Sequence, residues 1–306
     1  MERALRLAAD SGPSLNVRRI ETPEQADPSP THIDCLDAAS TDLSAVQPGS
    51  VDPLAGRAAF DFLTRAIALA RAGRIDAIVT LPLHKEALHA AGIRHPGHTE
   101  ILAEQCGTDD FAMMLYLPPG YGGGEAGLGV VHATLHVALR RVFELLTTDR
   151  VLASIQLADR TFRPLLAGCG PRIAVAGLNP HAGEGGLFGD EESVVIRPAV
   201  VRARREGLDV TGPLAADTLF AKALAGEFDA VVAMYHDQGH CAIKTVGFDH
   251  AVNVTLGLPI VRTSVAHGTA FDIAWQGLAS VESLIDAVQA AGTFAAVHST
   301  RPSHGS

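Results

Sequence analysis

The sequence predicts an α/β protein built on a mainly parallel sheet, and two observations carry that reading. Short apolar runs that read as buried strands alternate with longer segments of helical apolar spacing, the order expected of crossover units. Three of these runs end directly in histidine-bearing segments, and functional groups in open α/β sheets gather beyond the carboxyl ends of parallel strands. With 306 residues, the chain is long enough for two subdomains, or one large one, around a substantial core.

The elements follow in order. A short helix and a strand at 15–20 open the chain, and a polar, proline-rich passage covers 22–30. Helical apolar spacing runs over 55–72, Gly73 stops it, and a strand follows at 77–80. A strand at 111–116 is joined by the glycine-rich segment 118–127 to a strand ending near Ala133, a pattern that reads as a ribbon or hairpin with a flexible tip. Helices are expected at 137–147 and 151–167, then a strand at 172–177, a helix near 191–206 and a strand near 208–211. A helix at 217–225 leads into a strand at 229–234, an amphipathic helix at 281–291 comes last, and the polar tail 299–306 is expected to be disordered.

Composition narrows the function classes. A formal net charge of -10 excludes nonspecific nucleic-acid binding, which needs a basic face. The apolar fraction of 47% and mean hydropathy of +0.18 indicate a compact protein rather than a disordered one. No apolar run approaches the roughly 18 residues of a membrane span, and the N-terminus lacks a signal-peptide core. Cys35, Cys106, Cys169 and Cys241 form no Cys-x-x-Cys pair, so they are expected to be reduced, mostly buried thiols. The expectation is a soluble cytoplasmic protein with neither nucleic-acid nor membrane partners.

Four segments carry chemistry. Met234-Tyr-His-Asp-Gln-Gly239 sets a histidine, a carboxylate and an amide on what reads as a glycine turn after a buried strand, where a metal or substrate would sit. Leu178-Asn-Pro-His-Ala-Gly-Glu-Gly-Gly186 follows another strand, and its glycines let backbone amides approach a ligand. With His136 after a third strand, the three strand ends are expected to converge on one site. Lys85, His95, His98 and Thr99 follow the strand at 77–80 and can hold an anionic group, although a solvated helix start with a Pro-Gly turn is the simpler reading of this segment taken alone. Lys244 and Arg262 bracket an apolar strand and can clamp a phosphate or carboxylate. His132 lies inside its apolar strand and reads as structural rather than as a rival to His136.

These segments resemble the 4-hydroxythreonine-4-phosphate dehydrogenase family, which includes relatives acting on 4-phospho-D-threonate or terephthalate dihydrodiol. The matching pieces are Lys85-Glu-Ala-Leu, Pro96-Gly-His-Thr-Glu100, Leu178 to Gly186, Gly212-Pro-Leu-Ala-Ala-Asp-Thr218, Met234 to Gly239, Val252-Asn-Val-Thr-Leu-Gly-Leu-Pro259 and Arg262-Thr-Ser-Val-Ala-His-Gly-Thr-Ala270. They keep the family's order over residues 75–277. The resemblance implies two α/β/α subdomains with mainly parallel sheets flanking a cleft, isocitrate dehydrogenase-like. Residues 1–135 and 268–306 would form the first subdomain, and 136–267 the second, which carries most metal ligands.

It further implies NAD or NADP as hydride acceptor and a divalent metal, zinc ahead of magnesium, cobalt or manganese, on His136, His181 and His236. Asp217 would lie near that metal and, with Lys244, act in catalysis. His98, Thr99, Lys244, Asn253 and Arg262 would bind a small anionic hydroxy acid. Asn179, Gly183, Glu184 and Gly185 are expected to face the dinucleotide, and a homodimer would complete each site. The implied activity is oxidation with decarboxylation of a β-hydroxy acid, as in pyridoxine biosynthesis. A related dehydrogenase of 4-phospho-D-threonate, D-erythronate phosphate or terephthalate cis-dihydrodiol, a metal-dependent hydrolase and a shortened non-catalytic paralogue are the alternatives. The family's opening Gly-Asp-Pro-Ala-Gly-Ile-Gly-Pro-Glu turn and its strand are absent here, and reduced activity is expected until they are restored.

Overall fold

A computed structural model describes residues 1–8, 15–38, 41–95 and 97–298. Pro96 of the predicted anion-binding motif and the tail 299–306 lie outside them. The chain divides into two compact units.

The first unit comprises residues 1–107 and 267–281. Its elements are α1 (Glu2–Ala8), β1 (Asn16–Ile20), β2 (His32–Leu36), α2 (Pro53–Arg71), β3 (Ala77–Thr80), α3 (Lys85–Ala90) and α4 (His98–Cys106). Strands β1 and β2 pair in parallel, with Asn16 opposite His32 and Ile20 opposite Leu36. The Asp52 side chain caps α2 by accepting from the Leu54 amide at 2.7 Å, and Pro53 supplies the preset first turn. Ala58, Leu63, Ile67 and Leu69 form the buried stripe of this helix. At Gly56 a Cβ would stand 2.0 Å from the Ala87 carbonyl oxygen, so only glycine allows α3 to sit this close to α2.

The second unit comprises residues 108–266 and the chain from Glu282 onward. It contains β4 (Ala112–Leu117), β5 (Leu128–His132), α5 (Leu139–Leu145), α6 (Thr148–Leu165), β6 (Ile173–Ala176), α7 (Arg197–Arg205) and β7 (Val210–Leu214). Then come α8 (Ala216–Leu224), β8 (Ala230–Ala233), α9 (His236–Gly247), β9 (Val252–Leu256), β10 (Val261–Val265) and α10 (Glu282–His298). Its strands neighbour one another in the order β10-β9-β4-β5-β8-β6-β7. The half from β5 to β7 is parallel, and the half from β10 to β5 is antiparallel. Every residue of β5, β6 and β8 is buried, as expected of parallel strands covered on both faces.

Alternation along β5 sorts those faces. A Cβ at Gly129 would run into Phe162 of α6, whereas Val130 and His132 lie under Gly239 of α9. Leu115, Leu117, Leu128, Val130, Val231, Ala233 and Ile243 make the core on the α9 side.

The structure corrects several expectations. The domain boundary expected at 135/136 falls at Gly107/Thr108 instead, because β4 and β5 pair with strands from the middle and end of the chain. Within the expected C-terminal return, 267–281 belongs to the first unit, but α10 packs on β10 and β9 in the second. Met234 to Gly239 is not a glycine turn: α9 begins at His236, and Gly239 lies inside that helix. Strand β2 is not expected from the sequence pattern. The glycine-rich 118–127 segment is docked, with the Gly123 amide donating to the Leu224 carbonyl at 3.0 Å and Tyr121 stacked on His250 at 3.7 Å. Cys169 and Cys241 are exposed, so the thiols are not mostly buried. Among the described residues no helix is long and apolar enough to cross a membrane.

Candidate active site

Two histidine-bearing strand ends meet in the second unit. Strand β5 ends at His132 and continues through Thr134 to His136, while β8 ends at Ala233 and continues through Met234 into α9. The ends are held side by side: the Ala133 amide donates to Ala233 O at 2.8 Å, and both the amide and the hydroxyl of Thr134 donate to Met234 O. The rings of His136 and His236 lie 5.5 Å apart and border a cleft of about 310 Å³ lined also by Val137, Leu139, Val142 and Tyr235.

Behind His236 lies a buried pair. The His240 ring stacks on that of His236 at 3.7 Å with an interplanar angle of 9°, and its Nδ1 is 3.1 Å from His132 Nε2 and 3.1 Å from His236 O. His132 is 1% exposed, and its Nδ1 lies 3.4 Å from Met113 O. Burial, reinforced by the neighbouring His240, holds the His132 imidazole down to about 3; burial and His236 hold His240 down to about 4. Both are neutral at physiological pH, and hydrogen-bond partners set their tautomers. His132 therefore has the structural place expected of it. His240 had no assigned role in the sequence, because its function depends on a residue more than a hundred positions away.

The third expected metal histidine is not part of this group. His181 is exposed and lies 6.1 Å from Phe188. Its backbone explains why: residues 181–185 all have positive φ, from 42° to 77°, in a left-handed turn that carries three non-glycine residues. Each of those costs about 1–2 kcal/mol. Among the described residues no group of three or more His, Cys, Asp or Glu side chains is placed to hold a metal. Within one chain the described residues bring His136 and His236 side by side and leave His181 outside their group; the same expectation allows the three to meet across a dimer interface. Asp217 is exposed in the first turn of α8, a helix that packs against the His181 turn.

The residues expected to bind substrate from this unit do share a surface. Val130 pairs with Leu115 and Leu115 with Asn253, which puts Asn253 and Thr255 on the α9 face of the sheet. Ser264 lies opposite Asn253, so Arg262 and Ser264 occupy that face too. Arg262 is 2% exposed and donates from Nη1 to Thr255 Oγ1 at 2.9 Å. The Oδ1 atom of Asn253 is buried without a hydrogen-bond partner. Lys244, on α9, donates from Nζ to Ala266 O at 2.9 Å. His98 and Thr99 open α4 in the first unit, and a Cβ on the preceding Gly97 would stand 4.0 Å from Lys85 Cε, while His84 Nδ1 already accepts from the Ala87 amide at the start of α3.

The expected cofactor residues are partly committed elsewhere. Asn179 Nδ2 donates to Glu191 Oε2 at 2.6 Å and Glu192 Oε2 at 3.0 Å, which occupies both amide hydrogens and turns the side chain inward. Gly183 is buried against Glu192, while Glu184 and Gly185 are exposed. Glu192 is the residue whose role sequence reasoning misses. In the sequence it reads only as a helix-opening acid, but it is 3% exposed and accepts from the amides of Leu178 and Asn179, each at 2.7 Å.

The profile of the pyridoxal phosphate biosynthetic protein PdxA family matches residues 1–291. The chain belongs to the PdxA family. It is similar to the D-threonate 4-phosphate dehydrogenase of Pectobacterium atrosepticum, 46% identical over 285 residues, 93% of this chain and 85% of that protein. It is also similar to the 4-hydroxythreonine-4-phosphate dehydrogenase of Beijerinckia indica, 49% identical over 93% of this chain and 80% of that protein. The fold agrees with the crystal structure of 4-hydroxythreonine-4-phosphate dehydrogenase from Klebsiella pneumoniae at a TM-score of 0.84 and 45% identity, covering 96% of this chain and 87% of that one. Membership of the PdxA family makes this protein an oxidoreductase.

Proposed function

We propose that the protein oxidises the secondary alcohol of a small phosphorylated β-hydroxy acid, D-threonate 4-phosphate or 4-hydroxythreonine 4-phosphate, with NAD or NADP as acceptor and loss of carbon dioxide afterwards. The observation that carries this reading is the polar set on the α9 side of the sheet: Asn253 and Arg262 on adjoining strands, with Thr255 and Ser264, and Lys244 on the covering helix α9. The nicotinamide, when bound, supplies the hydride acceptor.

The chain's own residues bind and orient. Arg262 offers a planar fork for phosphate or carboxylate, and its bond to Thr255 fixes the plane before substrate arrives. Lys244, anchored through Ala266 O, adds a point charge. The unpartnered Oδ1 of Asn253 suits a substrate hydroxyl, which would supply the missing donor. His136 and His236 border the cleft, and the neutral pair behind His236 excludes water from its inner side. Two imidazoles are fewer than the three protein ligands a catalytic zinc takes, and among the described residues of one chain no third group joins His136 and His236, so no step is assigned to a metal.

Homodimer formation belongs to the same reading. Support comes from exposed apolar side chains beside the cleft: Leu139 is 63% exposed and Phe143 55%. Light scattering should give twice the chain mass at micromolar concentration; a monomer would count against it. A cytoplasmic location is proposed on the resemblance alone.

Steady-state formation of reduced nicotinamide, with NAD and NADP, tests the activity on D-threonate 4-phosphate, 4-hydroxythreonine 4-phosphate and terephthalate cis-dihydrodiol. Turnover of a phosphorylated acid supports the proposal, and loss of that turnover in chelator brings the metal into it. No reduction with any of the three refutes it. Arg262→Lys should raise the substrate KM on the order of tenfold or more while leaving the cofactor KM nearly unchanged, because a point charge cannot replace a bidentate fork. Equal loss of both would show that Arg262 acts on the cofactor or on the fold.

A further inference from the structure

The parallel strands β6 and β8 stay in register to Val175 and Val232, and beyond that their ladder stops. Past the ladder, one strand turns into the left-handed turn that carries His181 and the other into α9, which carries His236. Two main-chain groups are left facing a gap, the Gly177 carbonyl and the Met234 amide. The Gln238 side chain spans it. Its Oε1 accepts from the Met234 amide at 2.7 Å, and its Nε2 donates to Gly177 O at 2.7 Å. The side-chain amide thus stands in for a missing rung of the sheet. The rung needs an acceptor and a donor at once, which a carboxylate or an ammonium cannot supply, and the two fixed partners determine which end of the amide is which.

One residue further along, Glu192 takes over. A carboxylate accepts only, and here it meets three donors: the amides of Leu178 and Asn179 and the Asn179 side chain. Glu192 lies in the π-type turn Glu192–Ile196 that leads into α7. Glycine at 183 is required by the same contact, since a Cβ there would stand 2.7 Å from Glu192 Oε2.

We infer that Gln238 and Glu192 form a brace whose task is to set the Asn179–Gly186 turn against the His236 end of α9, so that both are positioning residues for the reaction. Neither need touch substrate. The inference rests on the proposed function for its kinetic arm only. Gln238→Glu keeps shape but sets a carboxylate oxygen against the Gly177 carbonyl, and Gln238→Met removes both bonds without adding charge; Glu192→Gln removes the bond to the Asn179 side chain.

Hydrogen–deuterium exchange on the full chain reads the brace directly. In the Gln238 variants the amides of 178–186 should exchange on the order of tenfold faster, with those of α6 unchanged, because one local hydrogen-bonded closure is lost. The KM for the phosphorylated substrate, or kcat, should change on the order of tenfold, while the melting temperature moves little. Glu192→Gln should move the same readouts in the same direction. Unchanged exchange in 178–186, equally faster exchange in α6, or faster local exchange with kcat and KM intact would each overturn the inference. If the unaltered protein turns over neither acid, the functional reading fails, and the exchange measurement by itself decides whether the brace exists.

Discussion

Gly239→Ala should destabilise the protein by about 1–3 kcal/mol, the cost of forcing an extra carbon into a packed core. The added Cβ would stand 2.4 Å from His132 Nε2 and 2.7 Å from Val130 Cγ1, both on fully buried residues of β5. Neither atom is the far end of a flexible chain, so α9 itself must lift. The sign is informative, because alanine in a helix interior is favoured over glycine by about 1 kcal/mol. Gly292 provides the contrast: it lies in α10, and a Cβ added there would have no neighbour within 4 Å, so Gly292→Ala should stabilise by up to about 1 kcal/mol. Thermal melts of the two variants should move in opposite directions, by roughly 2–4 °C per kcal/mol. If Gly239→Ala melts at or above the unaltered protein, the close contact of α9 with β5 does not exist as described. Because His236 is the first residue of α9, the same lift should also separate it from His136.

Acid should destabilise the protein well above the range where carboxylates titrate. His132 is held down to about 3 and His240 to about 4, both chiefly by burial, against about 6.5 in an unfolded chain. Below pH 6.5 the unfolded chain takes up protons that the folded chain refuses. Their stabilisation is thus fully present above pH 6.5 and is lost as pH falls toward the folded values. Across that window the pair should lower stability by on the order of a few kcal/mol between pH 6.5 and 5, discounted for the partial exposure of His240. Urea unfolding at pH 7.5, 6 and 5 measures this, with His132→Gln expected to flatten the slope by close to one proton. A stability unchanged between pH 7.5 and 5 would mean that these rings are reached by water and protons in the folded state.

Much of the fold was legible because strand and helix propensity are local. The apolar run ending at Thr80 lies where β3 lies, and the run after Asp229 is β8. The spacing over 55–72 matches α2 within two residues. Strand β2 was not legible, since His32 and Asp34 interrupt its apolar pattern and its parallel pairing with β1 comes from across the connection 21–31. Glycine at 239 misleads: next to a strand it signals a turn, yet here it serves as the flat side of a helix against a histidine.

The candidate site divides in the same way. Which residue types were present, and that Met234 to Gly239, Leu178 to Gly186 and Arg262 lay at strand ends or edges, was determined by the sequence alone, because motif and strand are adjacent along the chain. That Asn253 and Arg262 share the face covered by α9, that His240 closes on His132, and that Gln238 bridges Gly177 and Met234 were decided only by the tertiary structure. Each depends on which strands became neighbours. The deciding pairings, Leu115 with Asn253, His132 with His240 and Gly177 with Gln238, join residues tens to more than a hundred positions apart, and local pattern carries no information about them. Burial then set the protonation of His132 and His240, a property of the surrounding core rather than of any residue's own place in the chain.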